Sequence, residues 1–310
     1  MSSYPTISVI VIGLNVAHSL NRALSSVFAS DYPRDRIEVI YVDSGSKDRS
    51  LEIVRDFCGV HVISKKLFSA AAARNVGFLE ATGDAIQFLD GDSALDPLWL
   101  KTSVSALKGD VAAVFGRVEE KDPCQNLYHC IAHVEWHYLS DQNHFFGGNV
   151  LMQRHALERC GGYNPNLVSG EEADLSARLT DRGFSIAFLP ILMATHDICM
   201  STFSKYWKRA YRSGVGFANA FFLKVDRRSF LRVLFSPLIS LSILGGGFLL
   251  GHGVLGCIFS FLWTFRSFRK IGYFQRRFSL PFSKAMLYAV HLSFVVFPQC
   301  LGAIRKRCGV

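Results

Sequence analysis

The stretch Ala85–Asp96 constrains the fold more than any other part of the chain. Its apolar run Ile86–Leu89 stops at two carboxylates, Asp90 and Asp92, which are separated by one glycine. This pattern predicts a buried strand that ends at the rim of an open α/β sheet, where ligands bind. A divalent cation such as Mg²⁺ or Mn²⁺ relieves the repulsion between two carboxylates so close together. The alternative is a surface turn, since Asp and Gly are common in turns.

The residues before this stretch alternate between strand and helix patterns. The predicted order is strand Ile7–Gly13, helix Ser19–Ser30, strand Ile37–Val42 and helix Ser50–Phe57. Such a β-α-β-α start implies a parallel sheet. The first strand ends near Asn15 and the second at Asp43, a position from which a carboxylate can accept hydrogen bonds from a ribose or a base N–H. The alternatives are a turn role for Asp43 and a helix N-cap role for Asp48.

An alanine-rich helix is predicted over Ser69–Gly83, and it carries Arg74. The small residues before Arg74 allow close backbone approach, and a guanidinium donates to phosphate in a planar fork. A solvated helical arginine is the alternative. We favour a site residue because this helix leads directly into the strand that ends at Asp90.

Five motifs occur in order along the chain, and together they resemble family 2 glycosyltransferases, which have the GT-A fold. They are Asp43-Ser-Gly-Ser-Lys-Asp48, Ala72-Ala-Arg-Asn-Val-Gly77, Phe88-Leu-Asp-Gly-Asp-Ser93, Gly147-Gly-Asn149 and Gly170-Glu-Glu-Ala-Asp-Leu175. The resemblance covers about residues 5–215 and rests on the order of the motifs rather than on any one of them. It implies an inverting transfer from a nucleotide-diphosphate sugar, with a UDP-sugar as the expected donor and Mn²⁺ or Mg²⁺ on the diphosphate.

The resemblance also assigns roles to individual residues. It places Asp43 at the nucleotide base, Arg74 at the base or diphosphate, Asp90 near the ribose or sugar, and Asp92 on the metal. The family often has an acidic residue at the position of Ser44, so this chain departs mildly from the pattern. Asn15 and Asn149 are further candidate contacts of the donor, because a side-chain amide both donates and accepts hydrogen bonds.

A carboxylate pair, Glu171 and Glu172, opens a predicted helix. Acids in a first helical turn are favoured by the helix dipole alone. Inverting displacement needs in addition a carboxylate opposite the leaving diphosphate, which takes the proton of the acceptor hydroxyl. In the family this base is the second acid of a Glu-Asp pair, which falls on Glu172. Because the pair here is Glu-Glu, Glu171 stays a candidate. Further along, Asp174 and Arg178 have the i, i+4 spacing of a helical ion pair.

Histidines suggest two further sites. A predicted strand over Ser185–Leu192 leads to His196, which the resemblance favours as a metal ligand beside Asp92. A helix would align His129, His133 and His137 on one face, where zinc is an alternative to the lining of a pocket or interface. The aromatic residues Trp136 and Tyr138 beside them offer an acceptor sugar a stacking surface.

The positive charge of the chain is concentrated at its C-terminal end. Residues 224–310 contain 13 of the 34 Lys and Arg but one of the 25 Asp and Glu. Two runs there, Val233–Phe265 and Ala285–Ile304, lack charged residues and are candidate membrane segments. We therefore expect membrane lipids rather than nucleic acid as partners. The glycines of the first run favour a helical hairpin. For the second run the sequence favours neither a membrane span nor an interfacial helix.

The expected organisation is a GT-A catalytic domain over residues 1–223 and a basic, membrane-associated helical tail over residues 224–310. A predicted basic aromatic helix resembles the segment that the family uses beside the diphosphate and the membrane, and Arg209 and Arg212 on it are candidates for either role. Eight cysteines without a C-x-x-C pair, and an N-terminus without a signal pattern, fit a cytosolic catalytic domain on the inner membrane. The acceptor is expected to be lipid-linked or a saccharide. A nucleotidyltransferase and a non-catalytic scaffold are the alternatives.

Overall fold

The computed structural model describes residues 4–138, 145–222, 227–235 and 269–307. The chain forms two compact units. The first contains Met1–Asp122 and Glu135–Ile198, and the second contains Pro123–Val134 and Cys199–Val310. This division falls earlier in the chain than the domain boundary expected between residues 223 and 224, and the expected domain assignment itself stays a prediction.

The first unit is built on one eight-stranded sheet. Its strands are β1 Ile7–Gly13, β2 Ile37–Asp43, β3 Val60–Ser64, β4 Ala85–Asp90, β5 Ser93–Leu95, β6 Val111–Glu120, β7 Val150–Gln153 and β8 Ser185–His196. Their order across the sheet is β3-β2-β1-β4-β7-β6-β8-β5. Strand β7 is antiparallel to β4 and β6, β5 is antiparallel to β8, and the remaining pairs are parallel. The predicted mostly parallel α/β fold is confirmed.

The helices of the first unit cover the sheet because their apolar residues recur at helical spacing. The helices are α1 Leu20–Phe28, α2 Ser50–Arg55, α3 Ala70–Glu80, α4 Trp99–Ala106, α5 Leu127–His133, α6 Arg154–Cys160 and α7 Glu171–Asp181. All belong to the first unit except α5. In α1 the buried residues are Leu20, Ala23, Leu24 and Val27, which lie on one face. Every residue of β1 is buried, as expected for a central parallel strand covered on both faces.

The second unit is helical in its described part. After α5 it contains α8 Phe203–Phe222, α9 at residues 227–235, α10 at residues 269–278, α11 Phe282–Phe294 and α12 Val296–Arg307. Helices α8 and α12 pack closely at two glycines. A methyl group on Gly214 would overlap the Gln299 carbonyl, and one on Gly302 would overlap the Tyr211 carbonyl. This close packing explains why α8 belongs with the C-terminal helices rather than with the sheet.

Among the described residues one helical stretch, Phe282–Arg305, is long and apolar enough to cross a membrane by length and composition, with a mean hydropathy of 1.6. In the most apolar 18 residues of this stretch 39% is buried, so part of the stretch packs against the rest of the protein. Most of the other uncharged run, Val233–Phe265, lies outside the described residues, and so does the hairpin expected there.

Candidate active site

Three neighbouring parallel strands end at one rim of the sheet. The pairing places Gly13 of β1 opposite Asp43 of β2, and Ile12 of β1 opposite Asp90 of β4. The order β2-β1-β4 therefore brings Asp43 and Asp90 to the two sides of the loop that carries Asn15. In open α/β sheets this rim is where ligands bind.

Asp43 and Asn15 shape the loops of this rim. The carboxylate of Asp43 is buried and accepts hydrogen bonds from the backbone N–H groups of Gly45 and Ser46, both at 3.0 Å. The Asn15 side chain accepts the N–H of Lys47 at 2.8 Å, which joins the loops that follow β1 and β2. Asp43 therefore stabilises the turn after β2, which is the alternative to donor binding that the sequence offered for this residue. Donor contacts by Asp43 and Asn15 stay predictions.

Arg74 connects two acidic segments that are distant in sequence. Its guanidinium lies 2.9 Å from Asp90 Oδ1, 3.2 Å from Glu171 Oε1 and 3.6 Å from Glu172 Oε1, and its side chain is 3% exposed. Burial by itself would lower the pKa of Arg74, but the carboxylate of Asp90 and then those of Glu172 and Glu171 raise it above its ordinary value. Arg74 is therefore a fixed cation between the end of β4 and the start of α7.

Tyr163 supports this cation, and sequence reasoning missed it. The guanidinium carbon of Arg74 lies 5.2 Å from the Tyr163 ring centroid, within the range of a cation–π contact. Asn75 holds the Tyr163 backbone through two hydrogen bonds, at 2.8 Å to its N–H and 2.7 Å to its carbonyl. The available signal was the Gly161-Gly162 pair just before Tyr163, since both glycines adopt φ of +71° in a tight turn.

The predicted ion pair between Asp174 and Arg178 is confirmed, with 2.6 Å between Arg178 Nη2 and Asp174 Oδ2. The same guanidinium donates to the carbonyls of Cys160 at 2.6 Å and Gly162 at 2.8 Å. Arg178 therefore ties α7 to the glycine turn that positions Tyr163.

Glu171 and Glu172 occupy different environments. Gly170, at φ +87°, is the N-cap residue that precedes α7, and the Glu171 side chain is 8% exposed against 21% for Glu172. Burial, with a further contribution from the charge of Glu171, raises the pKa of Glu172 to about 7, although Arg74 opposes the shift. Glu171 is thus a buried partner of Arg74. Glu172 is the more accessible carboxylate, and its pKa suits proton transfer near neutral pH.

Asp90, Asp92 and His196 form a group that fits a divalent cation. Their potential ligand atoms all lie within 4.8 Å of one another, and His196 Nε2 is 3.1 Å from Asp92 Oδ1. The other ring nitrogen of His196, Nδ1, is buried and has no hydrogen-bond partner within the described residues. The two carboxylates suit Mg²⁺ or Mn²⁺, and the imidazole is a third ligand of a kind that these ions accept less readily than oxygen.

A cavity of about 200 Å³ adjoins these ligands. Its polar wall includes Asp90, Asn149 and His196, and the indole of Trp136 lies edge-on to the His196 ring, with 4.5 Å between centroids. Asn149 accepts the backbone N–H of Asp90 at 2.8 Å and donates to Ser93 Oγ at 3.0 Å. Both functional ends of Asn149 therefore hold the acidic turn. Its contact with the donor stays a prediction.

Other sequence-based candidates lie elsewhere. Helix α5 ends at His133 and continues as a wider π-helical turn, Val134–Tyr138, so that the regular i, i+4 spacing stops before His137. His137 Nδ1 instead lies 2.9 Å from Glu119 Oε1, and no ligand group among the described residues contains all three histidines of the zinc alternative. Arg209 and Arg212 lie on α8 in the second unit, and their roles stay predictions.

The fold is an open, mostly parallel α/β sheet with an acidic rim, and comparisons with known proteins identify the family. A sequence model described as glycosyl transferase family 2 matches residues 8–161, and one described as the N-terminal domain of galactosyltransferase matches residues 127–202. Glycosyltransferase AglE of Haloferax volcanii is 30% identical over 243 residues, covering 75% of this chain and 79% of AglE. The probable glycosyltransferase YdaM of Bacillus subtilis is 24% identical, covering 68% of this chain and 55% of YdaM.

The chain belongs to glycosyltransferase family 2 and is a glycosyltransferase. The comparisons support neither of the two alternatives, a nucleotidyltransferase or a non-catalytic scaffold. The solved structures agree on the fold. The mannosyltransferase PcManGT from Pyrobaculum calidifontis, in complex with GDP-Man and Mn²⁺, superposes with a TM-score of 0.65 at 18% identity, covering 94% of this chain and 87% of that one.

Proposed function

We propose that the protein transfers a sugar, with inversion, from a nucleotide-diphosphate sugar to a hydroxyl group of a lipid-linked or saccharide acceptor. The observation that carries this proposal is the position of Arg74. Its buried guanidinium joins Asp90, at the acidic turn, to the Glu171-Glu172 pair at the start of α7. One fixed cation thus holds the donor-binding rim and the candidate base in a single arrangement.

In the proposed reaction Glu172 takes the proton of the acceptor hydroxyl. The hydroxyl oxygen forms a bond to the anomeric carbon while the bond from that carbon to the diphosphate oxygen breaks, and the nucleoside diphosphate leaves with the electron pair. Glu171 and Tyr163 keep Arg74 in place, while Asn149 fixes the turn that carries Asp90. Asp43 and Asn15 form the part of the rim that would accommodate the nucleotide.

Asp92 and His196, with Asp90, are the residues that would hold Mn²⁺ or Mg²⁺. When bound, such a cation stabilises the negative charge that grows on the leaving diphosphate. Support for a metal and for a nucleotide donor also comes from the solved neighbours. PcManGT was solved with GDP-Man and Mn²⁺, and S. aureus TarS 1-349, with a TM-score of 0.50, was solved with UDP.

An assay of purified full-length protein with UDP- and GDP-sugars tests this proposal. We expect one donor class to release its nucleoside diphosphate, slowly to water and faster with an acceptor, only when Mn²⁺ or Mg²⁺ is present. Chelation with EDTA should stop the release, and added Mn²⁺ should restore it. NMR of the product should show an inverted anomeric configuration. Full activity in EDTA would contradict the metal assignment, and a retained configuration would contradict the role of Glu172.

We also propose that α11 lies on an anionic membrane surface, with the catalytic unit on the cytosolic side of the inner membrane. One face of α11 is buried and includes Ala285, Tyr288 and Ala289. The opposite face exposes four apolar side chains spaced four residues apart: Phe282, Met286, Val290 and Phe294. Helix α11 alone spans about 20 Å, less than the hydrocarbon core, and only together with α12 does the helical stretch Phe282–Arg305 reach the length of a membrane span. A one-sided apolar helix of this length suits the interface.

Vesicle flotation tests the membrane proposal. The double variant Met286→Ser/Val290→Ser should bind phosphatidylglycerol-containing vesicles about tenfold more weakly, because two apolar side chains are lost from the lipid-facing side. Phe68→Ser/Leu79→Ser is the matched control, since these side chains are 87% and 81% exposed in the first unit. Equal loss of binding in both variants, or none in either, would contradict the assignment to α11.

A further inference from the structure

The turn that carries the candidate metal ligand Asp92 is held from α1, a helix that none of the sequence motifs includes. Arg22 Nη2 donates to the carbonyl oxygen of Asp92 at 2.7 Å, and Arg22 Nη1 donates to Thr195 Oγ1 at 3.1 Å. Thr195 immediately precedes His196 in β8. The Arg22 guanidinium therefore joins the main chain of Asp92 to Thr195, the residue before His196.

Two further bonds from the same side of α1 hold this turn. Ser19 donates its hydroxyl to the carbonyl of Gly91 at 2.8 Å, and the hydroxyl of Ser26 accepts the backbone N–H of Leu95 at 2.9 Å. Residues 19, 22 and 26 are spaced three and four apart, which places them on one face of a helix. This face of α1 therefore hydrogen-bonds the main chain at three positions between Gly91 and Leu95.

The sheet supplies the second connection between the ligands. Strand β5 begins one residue after Asp92 and pairs with β8 so that Ser93 lies opposite His196. The N–H of Asp197 also donates to the Asp92 carbonyl at 3.1 Å, so that this oxygen accepts two hydrogen bonds. Of these two donors, Arg22 is the side chain, and it is the one that a substitution can remove without altering the sheet.

We propose that Arg22 is a positioning residue for the divalent cation, and this inference rests on the proposed metal site. Arg22 acts through the Asp92 carbonyl and Thr195, and it is not itself a ligand in the proposed site. It fixes the distance between the ligands on the β4–β5 turn and on β8, so that they meet a cation without rearrangement. Groups that orient metal ligands through hydrogen bonds typically change metal affinity by about 10- to 100-fold when they are removed.

Electron paramagnetic resonance of Mn²⁺, which detects the free ion, tests the proposal without relying on turnover. Full-length protein is titrated with Mn²⁺ alone and again with UDP or GDP present. We expect Arg22→Gln to raise the Kd for Mn²⁺ about tenfold, and Arg22→Lys, which keeps one donor, to raise it less. At saturating Mn²⁺ the activity of Arg22→Gln should recover toward that of the wild type.

Arg34 offers a matched control. Its guanidinium also donates to a backbone carbonyl, that of Ile37 at 2.7 Å, and it stacks on Phe28 away from the metal ligands. Arg34→Gln should leave the Kd for Mn²⁺ unchanged even where it lowers the Tm. An unchanged Kd in Arg22→Gln together with a lower Tm overturns the inference while the metal site stands. Absence of Mn²⁺ binding by the wild type, with and without nucleotide, overturns the metal site and the inference with it.

Discussion

Replacing Glu172 with glutamine is expected to lower kcat by about 10³-fold, within the range that a general base contributes. The amide has the shape of the carboxylate but cannot take the proton of the acceptor hydroxyl. Because Glu172 is not assigned to the donor, the Kd for the nucleotide sugar should stay within about twofold of the wild-type value. Stopped-flow turnover and calorimetric donor binding, measured on the same preparation, separate the two effects.

Glu171→Gln is the matched variant for this experiment. Glu171 is the less exposed member of the pair and lies 3.2 Å from Arg74, so its loss should weaken the hold on that cation and lower kcat less than the loss of Glu172. An active Glu172→Gln beside an inactive Glu171→Gln would move the base by one residue. Equal losses in both variants would indicate that the pair acts only through Arg74.

The raised pKa of Glu172 also sets a pH dependence. A base must be ionised, so kcat/KM should rise with pH through about 7 and then level off. The contribution of the Glu172 carboxyl to stability should follow the opposite trend. The folded-state pKa lies above the ordinary value of 4.5, so this carboxyl takes stability from the fold as pH rises between about 4.5 and about 7. In Glu172→Gln this pH-dependent loss of stability is absent, because glutamine does not ionise. Its Tm should match the wild-type value at pH 4 and exceed it at pH 8.

The local features of this site could be predicted from the sequence because they depend on neighbouring residues. An apolar run that ends in Asp90 is a strand that ends at a rim, and the i, i+4 spacing of Asp174 and Arg178 fixes their contact on a helix. The parallel core follows in the same way from strands that alternate with helices.

The contacts that join distant segments could not be predicted in this way. Strand β7 enters the sheet antiparallel between β4 and β6, and this pairing brings Asn149 to the backbone of Asp90, 59 residues away. Arg22 reaches Thr195 across 173 residues. Hydrophobic periodicity determines the face that an element buries, but it does not determine the neighbour against which that face packs. The different environments of Glu171 and Glu172 likewise depend on Arg74, which is distant in sequence.

Gly148 gives the second large effect that we expect. A methyl group at this position would overlap Asp90 Oδ2 and lie 2.6 Å from Arg74 Nη2. Arg74 cannot withdraw easily, because its side chain is 3% exposed and is also held by Glu171. Gly148→Ala should therefore displace the Asp90 carboxylate and lower kcat/KM by about 10²-fold, the cost of a displacement of about 1 Å at a reacting centre.

Gly147→Ala is the control that isolates this overlap. No atom of the described residues lies within 4 Å of where a methyl group on Gly147 would be, and neither glycine adopts the left-handed conformation. Both substitutions restrict the unfolded chain equally, so the difference between the variants reports the contact with Asp90 and Arg74. Gly147→Ala should keep kcat/KM within about twofold, while Gly148→Ala should also lose about 1–3 kcal/mol of stability through overpacking. A Gly148→Ala protein that loses stability but keeps its kcat/KM would place the Arg74–Asp90 pair in the fold rather than in catalysis.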